Sequence, residues 1–132
     1  MQTPATAPLQ MPATIRDVMQ AVDAKDASRF VTCLTPDAIF RYANAPAVTG
    51  PAAIREAVAQ FFDAVKALRH ELLAVWTQDD MVFCKGEVSY VRHDGSKAGP
   101  FPFFNLFKMR GDRIAEYLIY VDISPLFAPQ KA

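Results

Sequence analysis

The chain has 132 residues, with 14 Lys and Arg against 14 Asp and Glu, so its formal net charge is zero. That length suits one domain whose core buries roughly two thirds of the unfolded surface. A neutral chain without a Lys/Arg cluster argues against nucleic acid, whose phosphates demand a basic face, and apolar stretches far shorter than the ~18 to 20 residues of a bilayer span argue against a membrane.

Residues 1–13, MQTPATAPLQMPA, have neither a basic segment nor an apolar core of signal-peptide length. They read as a loosely held arm before a single domain over 14–128, and the cytoplasm is the expected location. Thr14 opens a helix with Asp17 as its capping partner. Ile15, Val18, Met19 and Val22 follow at helical spacing, and the face ends near Ala24-Lys25-Asp26. A short second helix carries Phe30, Val31 and Leu34 inward until Thr35-Pro36-Asp37 breaks it. Ala38 to Asn44 is the first strand, with Phe40 and Tyr42 on one face and Ile39 and Arg41 on the other. Ala45 to Gly50 reads as a loop. Pro51 suits the first position of a helix that runs to about Lys66 and turns Ile54, Val58, Phe61, Phe62 and Val65 inward.

From Arg69 the pattern changes to strands. His70, Leu72, Ala74 and Trp76 alternate with Glu71, Leu73, Val75 and Thr77 up to a turn at Gln78-Asp79-Asp80. In the next strand Val82, Cys84, Gly86, Val88 and Tyr90 look inward, and His93-Asp94-Gly95-Ser96 turns the chain again. Two apolar runs then flank Arg110-Gly111-Asp112-Arg113, the signature of a β-hairpin. The first run sets Phe101, Phe103, Asn105, Phe107 and Met109 on one face, which makes Asn105 the odd member of an aromatic stripe. The second sets Ala115, Tyr117, Ile119 and Val121 against Glu116, Leu118, Tyr120 and Asp122. Neither face of the hairpin is wholly polar. One face therefore packs on helices around a core or cavity, and the other, with Phe104, Leu106, Leu118 and Tyr120, is expected to meet a second copy in a homodimer. The order of elements predicts an α+β domain with helices on one side of a curved sheet that ends in a four-stranded antiparallel meander. Cys33 and Cys84 fit no metal-ligand spacing, and the reading assigns no metal, no cofactor and no disulfide.

The segments AIFRYANAPAVTG, PAAIREAV and EYLIYVDISPLF resemble the nuclear-transport-factor-2-like superfamily, in particular its SnoaL-like branch, over Thr14 to Phe127. The most specific pieces are Gly50-Pro51-Ala52-Ala53-Ile54-Arg55-Glu56 and Tyr120-Val121-Asp122-Ile123-Ser124-Pro125-Leu126. The resemblance implies a cone-shaped α+β barrel, a curved antiparallel sheet wrapped around two to three N-terminal helices with an internal pocket, and commonly a homodimer. Its members include ketosteroid isomerases, limonene epoxide hydrolases, scytalone dehydratases, polyketide cyclases and proteins that only bind or dimerise, so fold does not decide function. Residue by residue, the isomerase carboxylate position holds Tyr42, the oxyanion-donor positions hold Asn105 and Val18, and the carboxylate on the last strand of hydrolases and cyclases is Ile119. The arginine and aspartate of the hydrolases fall near Gly86 and Val88, and the dehydratase histidines have no clear counterpart because His70 and His93 lie near strand ends.

The candidate catalytic residues are accordingly Asn105, Tyr42, Asp122 and His70. A buried amide such as Asn105 donates to a carbonyl or developing oxyanion, or else is satisfied by a neighbour or a water. Tyr42 can donate its hydroxyl, or be a core residue with a polar tip. Asp122, if buried, would be a base with a raised pKa, the alternative being a structural bond to the turn at Ser124-Pro125. His70 is a base if its face lines the cavity and a rim or interface residue if not. Phe40, Phe61, Phe62 and Trp76, with Val88 and Tyr90, are the expected substrate-binding residues from the first strand to the strand before the hairpin, Phe61 and Phe62 on the helix between. Phe103, Phe107, Tyr117 and Ile119 are their counterparts on the last two. The expected function is acid/base chemistry without a metal on a small hydrophobic oxygenated substrate, by isomerisation, dehydration, cyclisation or hydrolysis. The alternative is a non-catalytic binding or dimerisation domain of the same fold.

Overall fold

A computed structural model describes residues 11–127; most of the arm expected over 1–13 and the last residue of the domain expected over 14–128 lie outside them. Helix α1 (Ala13–Asp23) buries Ile15, Val18, Met19 and Val22. Eleven residues make a marginal helix in water, so its stability comes from that stripe, roughly 1.5 to 3 kcal/mol for each large side chain buried. It starts one residue before Thr14, with Pro12 at the cap position. The Thr14 hydroxyl donates instead to the Asp112 carbonyl, so the expected capping pair with Asp17 is not formed. Helix α2 (Ala27–Thr32) is capped by Asp26, whose side chain accepts from the Arg29 N–H at 3.0 Å.

Strand β1 (Leu34–Tyr42) begins earlier than the sequence predicts. Leu34 is recruited by pairing with Ile114, and an irregularity between Leu34 and Ile39 absorbs Pro36, which lacks a ladder donor. A two-residue strand β2 (Val48–Thr49) lies inside the expected loop and pairs with β1. Gly50, at φ 89°, then turns the chain into α3 (Pro51–Ala64), with Pro51 in the first turn and Ile54, Val58 and Phe62 buried.

The remaining strands are β3 (Ala67–Gln78), β4 (Met81–Val91), β5 (Lys97–Arg110) and β6 (Arg113–Val121). They form the expected antiparallel meander, and β1 adds to β6 in parallel. The result is one mixed sheet in the order β2-β1-β6-β5-β4-β3, curved but not closed, with the helices on its concave side. The core between them centres on Tyr117, stacked on Phe30 at 5.7 Å between ring centroids and packed on Phe107 at 4.3 Å. A single turn, α4 (Ser124–Phe127), ends the described chain. Arg92 ties it to the sheet by donating to the carbonyls of Leu126 at 3.1 Å and Pro125 at 3.2 Å. Among the described residues no helix is long and apolar enough to cross a membrane.

Of the register shifts in the sheet, the one in β3 moves a candidate site residue. In β3, Leu72 pairs with Gly86 and Ala74 with Lys85, so Leu73 is an extra residue and the strand carries a bulge. Beyond it Val75 pairs with buried Cys84, whereas Trp76 pairs with Phe83 and is 50% exposed. Trp76 is therefore not a pocket residue as its spacing from His70 predicts. It lies on the convex face, 6.3 Å from Phe104.

Candidate functional site

A cavity of about 210 Å³ lies between α3 and the concave face of the sheet. Its walls include Phe40, Phe61, Phe62, Val88, Phe103, Tyr117 and Ile119, and its polar groups come from His70 and from Tyr42 and Tyr90. Val22, Phe30 and Leu68 also line it, as do Ala45, Pro46 and Val48 from the segment joining β1 to α3. None of these six is marked in the sequence as more than core or loop.

His70 sits near the start of β3, beside the end of α1. Its imidazole Nδ1 lies 2.7 Å from Asp23 Oδ1, and its backbone N–H is 3.1 Å from Oδ2 of the same carboxylate. The ring side chain is 14% exposed and the carboxylate 34%, so Asp23 approaches from the solvent side while the imidazole faces the cavity. A carboxylate at Nδ1 holds the proton there, which fixes the tautomer and leaves the Nε2 lone pair for the cavity. Phe103 packs edge-on against the ring at 5.2 Å and helps to fix its orientation. Sequence reasoning missed Asp23. A signal was present, because a carboxylate in the last turn of a helix opposes the helix dipole and asks for a compensating partner.

The second polar group is a pair. The Tyr42 and Tyr90 hydroxyls are 3.1 Å apart. They belong to β1 and β4, which are separated by two strands in the sheet, so the pair bridges the concave face. Whichever phenol accepts, its own proton stays free to donate to a ligand oxygen. Burial pushes both phenols up from their ordinary range, which keeps them as neutral O–H donors at physiological pH. Phe61 covers both rings, with centroids 5.0 Å from Tyr42 and 5.8 Å from Tyr90. Its other neighbour is Phe127, at 6.5 Å. Across the sheet His70 pairs with Val88, and Tyr90 stands two residues further along the same face. The imidazole and the nearer phenol are thus diagonal neighbours with Cβ atoms roughly 7 Å apart, and a small molecule can touch both.

The other expected site residues lie elsewhere. Asn105 faces the concave side but is 1% exposed and sits behind the cavity wall, with its Oδ1 unpartnered among the described residues. Phe107, fully buried under Tyr117, belongs to the core and not to the cavity. Tyr117 reaches the cavity with its ring, while its hydroxyl points to Met19 Sδ at 3.8 Å. Asp122 is exposed and does not act on the cavity. Its Oδ1 accepts from the Ser124 N–H at 3.0 Å and hydroxyl at 2.8 Å, and these bonds hold its carboxyl below the usual range, the reverse of the raised pKa that a buried base needs.

The family model of the SnoaL-like domain matches residues 15–117. No curated protein is significantly similar in sequence. Among solved structures, a protein of ketosteroid isomerase-like fold from Catenulispora acidiphila, in complex with trimethylamine, superposes with a TM-score of 0.80 at 15% identity, over 87% of this chain and 89% of that one. A candidate SnoaL-like polyketide cyclase from Jannaschia sp. CCS1 gives 0.78 at 14% identity, over 94% and 100%. A candidate polyketide cyclase from Sinorhizobium meliloti gives 0.70 at 22% identity, over 83% and 94%. Likeness at such low identity establishes a shared fold.

Proposed function

Because the chain belongs to the SnoaL-like domain family, we propose that its cavity binds a small hydrophobic oxygenated molecule and transfers a proton on it. The observation that carries this reading is the pairing of a carboxylate-oriented imidazole, His70 with Asp23, and a phenol pair, Tyr42 with Tyr90, on one apolar cavity. In this reading His70 Nε2 removes a proton from the carbon next to a carbonyl, and Asp23 stabilises the imidazolium that forms. The free phenol proton is directed at the carbonyl oxygen, where charge develops as the enolate forms. Return of the proton to another carbon gives an isomerisation, and its delivery to a departing hydroxyl gives a dehydration. Both use the proton first taken by His70 and need no other reactant. The mainly apolar walls strengthen each of these electrostatic contacts by keeping water out.

Exchange of α-hydrogens of a small cyclic ketone for solvent deuterium, followed by NMR, tests the proposal without knowledge of the natural substrate. The protein should catalyse exchange, and His70→Gln should reduce the rate by roughly 10²-fold or more, the usual share of a positioned base. Asp23→Asn should lower it while leaving ketone binding intact. Binding without exchange would leave a ligand-binding protein in place of an enzyme, and equal exchange by wild type and His70→Gln would remove His70 from its role.

A further inference from the structure

The cavity walls limit what reaches His70 and the tyrosine pair. About 210 Å³ is less than the ~300 to 1,000 Å³ usual for drug-sized ligands. An apolar cavity of ~150 Å³ takes one benzene ring, and the ~60 Å³ left over holds about two further atoms at the ~30 Å³ of a water in the liquid. A fused second ring adds four carbons, more than that remainder holds. Charge is restricted too. Among the described residues no Lys, Arg, Asp or Glu lines the cavity, and its one basic group, His70, already faces the Asp23 carboxylate, so a carboxylate or ammonium on the ligand would lose its hydration without a counter-ion of its own.

Phe61 sets the limit on size. Its ring lies against both phenols and against Phe127. A second ring on a molecule held at the phenol pair meets the Phe61 ring, which packs on both phenols. The geometry points to a neutral, single-ring carbonyl compound as the ligand, with Phe61 as the residue that rejects a second ring. This rests on the proposed function and sharpens it to a substrate class.

The test measures Kd by NMR titration of the imidazole C–H signals of His70 in the full chain, at one fixed pH. The probes are cyclohex-2-enone, 1-decalone and benzoate. Cyclohexenone should bind at least tenfold more tightly than either of the others. Phe61→Ala should narrow or reverse the gap between the one-ring and two-ring ketones, and Phe61→Leu, a milder change to the rim, should move it part of the way. Decalone binding to wild type as tightly as cyclohexenone would overturn the size limit, and equal binding of benzoate would overturn neutrality. Either result leaves the proposed site standing, because the His70 signals would still move. A gap unchanged by both Phe61 variants, with cyclohexenone still favoured, would remove Phe61 as its cause. If no probe moves those signals, the site itself is wrong and the size limit falls with it.

Discussion

Replacing Gly86 with alanine should destabilise the protein by about 2 kcal/mol, although glycine to alanine in a strand is ordinarily favourable. The backbone at Gly86 is not in the left-handed region, so the argument is one of space. A Cβ there would overlap the carbonyl oxygen of Glu71 and come within 2.8 Å of the Phe103 ring. The Glu71 carbonyl is brought close by the bulge at Leu73, one register step away. A side chain could rotate aside, but a backbone oxygen in a paired strand cannot, and Phe103 is only 4% exposed. Overpacking of this kind costs about 1 to 3 kcal/mol, and the fixed obstacle places Gly86 at the upper end. Loss of chain entropy in the unfolded state returns roughly 0.4 to 1 kcal/mol, which leaves the net cost near 2. For a chain of this size that is a fall in Tm of roughly 8 °C, measured by circular dichroism. A Gly86→Ala protein that melts within a degree of wild type would refute the reasoning. Full rescue by adding Phe103→Leu would show that the aromatic ring, not the Glu71 carbonyl, is what the methyl strikes.

Asn105→Leu removes a buried oxygen that has no partner among the described residues, so thermal melting should show an unchanged or higher Tm. A loss of more than about 2 kcal/mol would mean that the amide has a bound water as its partner. Asp37 is held down to about 2 by the Arg110 guanidinium, with which it makes bonds of 2.8 and 3.2 Å, and by the Thr35 hydroxyl. Because the folded value lies below the unfolded one, the stability it contributes is present above the ordinary Asp range and is lost as pH falls towards 2. A carboxyl NMR titration should therefore give a midpoint near 2 that rises in Arg110→Gln, and a midpoint unmoved by that change would contradict the assignment. The convex face exposes Trp76, Phe104 and Tyr120 beside Leu106 and Leu118. Light scattering should give a homodimer at micromolar concentration and a monomer for Phe104→Glu, and a wild-type monomer would rule this contact out.

Much of the architecture is legible in the chain because it is local. Ile15, Val18, Met19 and Val22 recur at helical spacing, and the alternation from Val82 to Tyr90 needs only the pleat of one strand to assign its faces. Trp76 shows where this stops. Its spacing from His70 places it inward, but one extra residue at Leu73 reverses the parity of everything after it, and a bulge leaves no mark in hydrophobic periodicity. Asp122 has a similar history. Alternation assigns it a face, yet the chain leaves the sheet there and its carboxylate turns back to cap the next turn.

The sequence by itself determined the helices α1 to α3, every strand but β2, the placing of the helices on one side of the sheet and the inward face of β4, because these follow from periodicities of two and 3.6 residues and from turn chemistry within short segments. Only the tertiary structure decided the site. Asp23 and His70 are 47 residues apart and Tyr42 and Tyr90 are 48 apart. The ends of a helix and the far strands of a sheet meet only when twist and curvature accumulate across the whole sheet, and no local pattern records that sum.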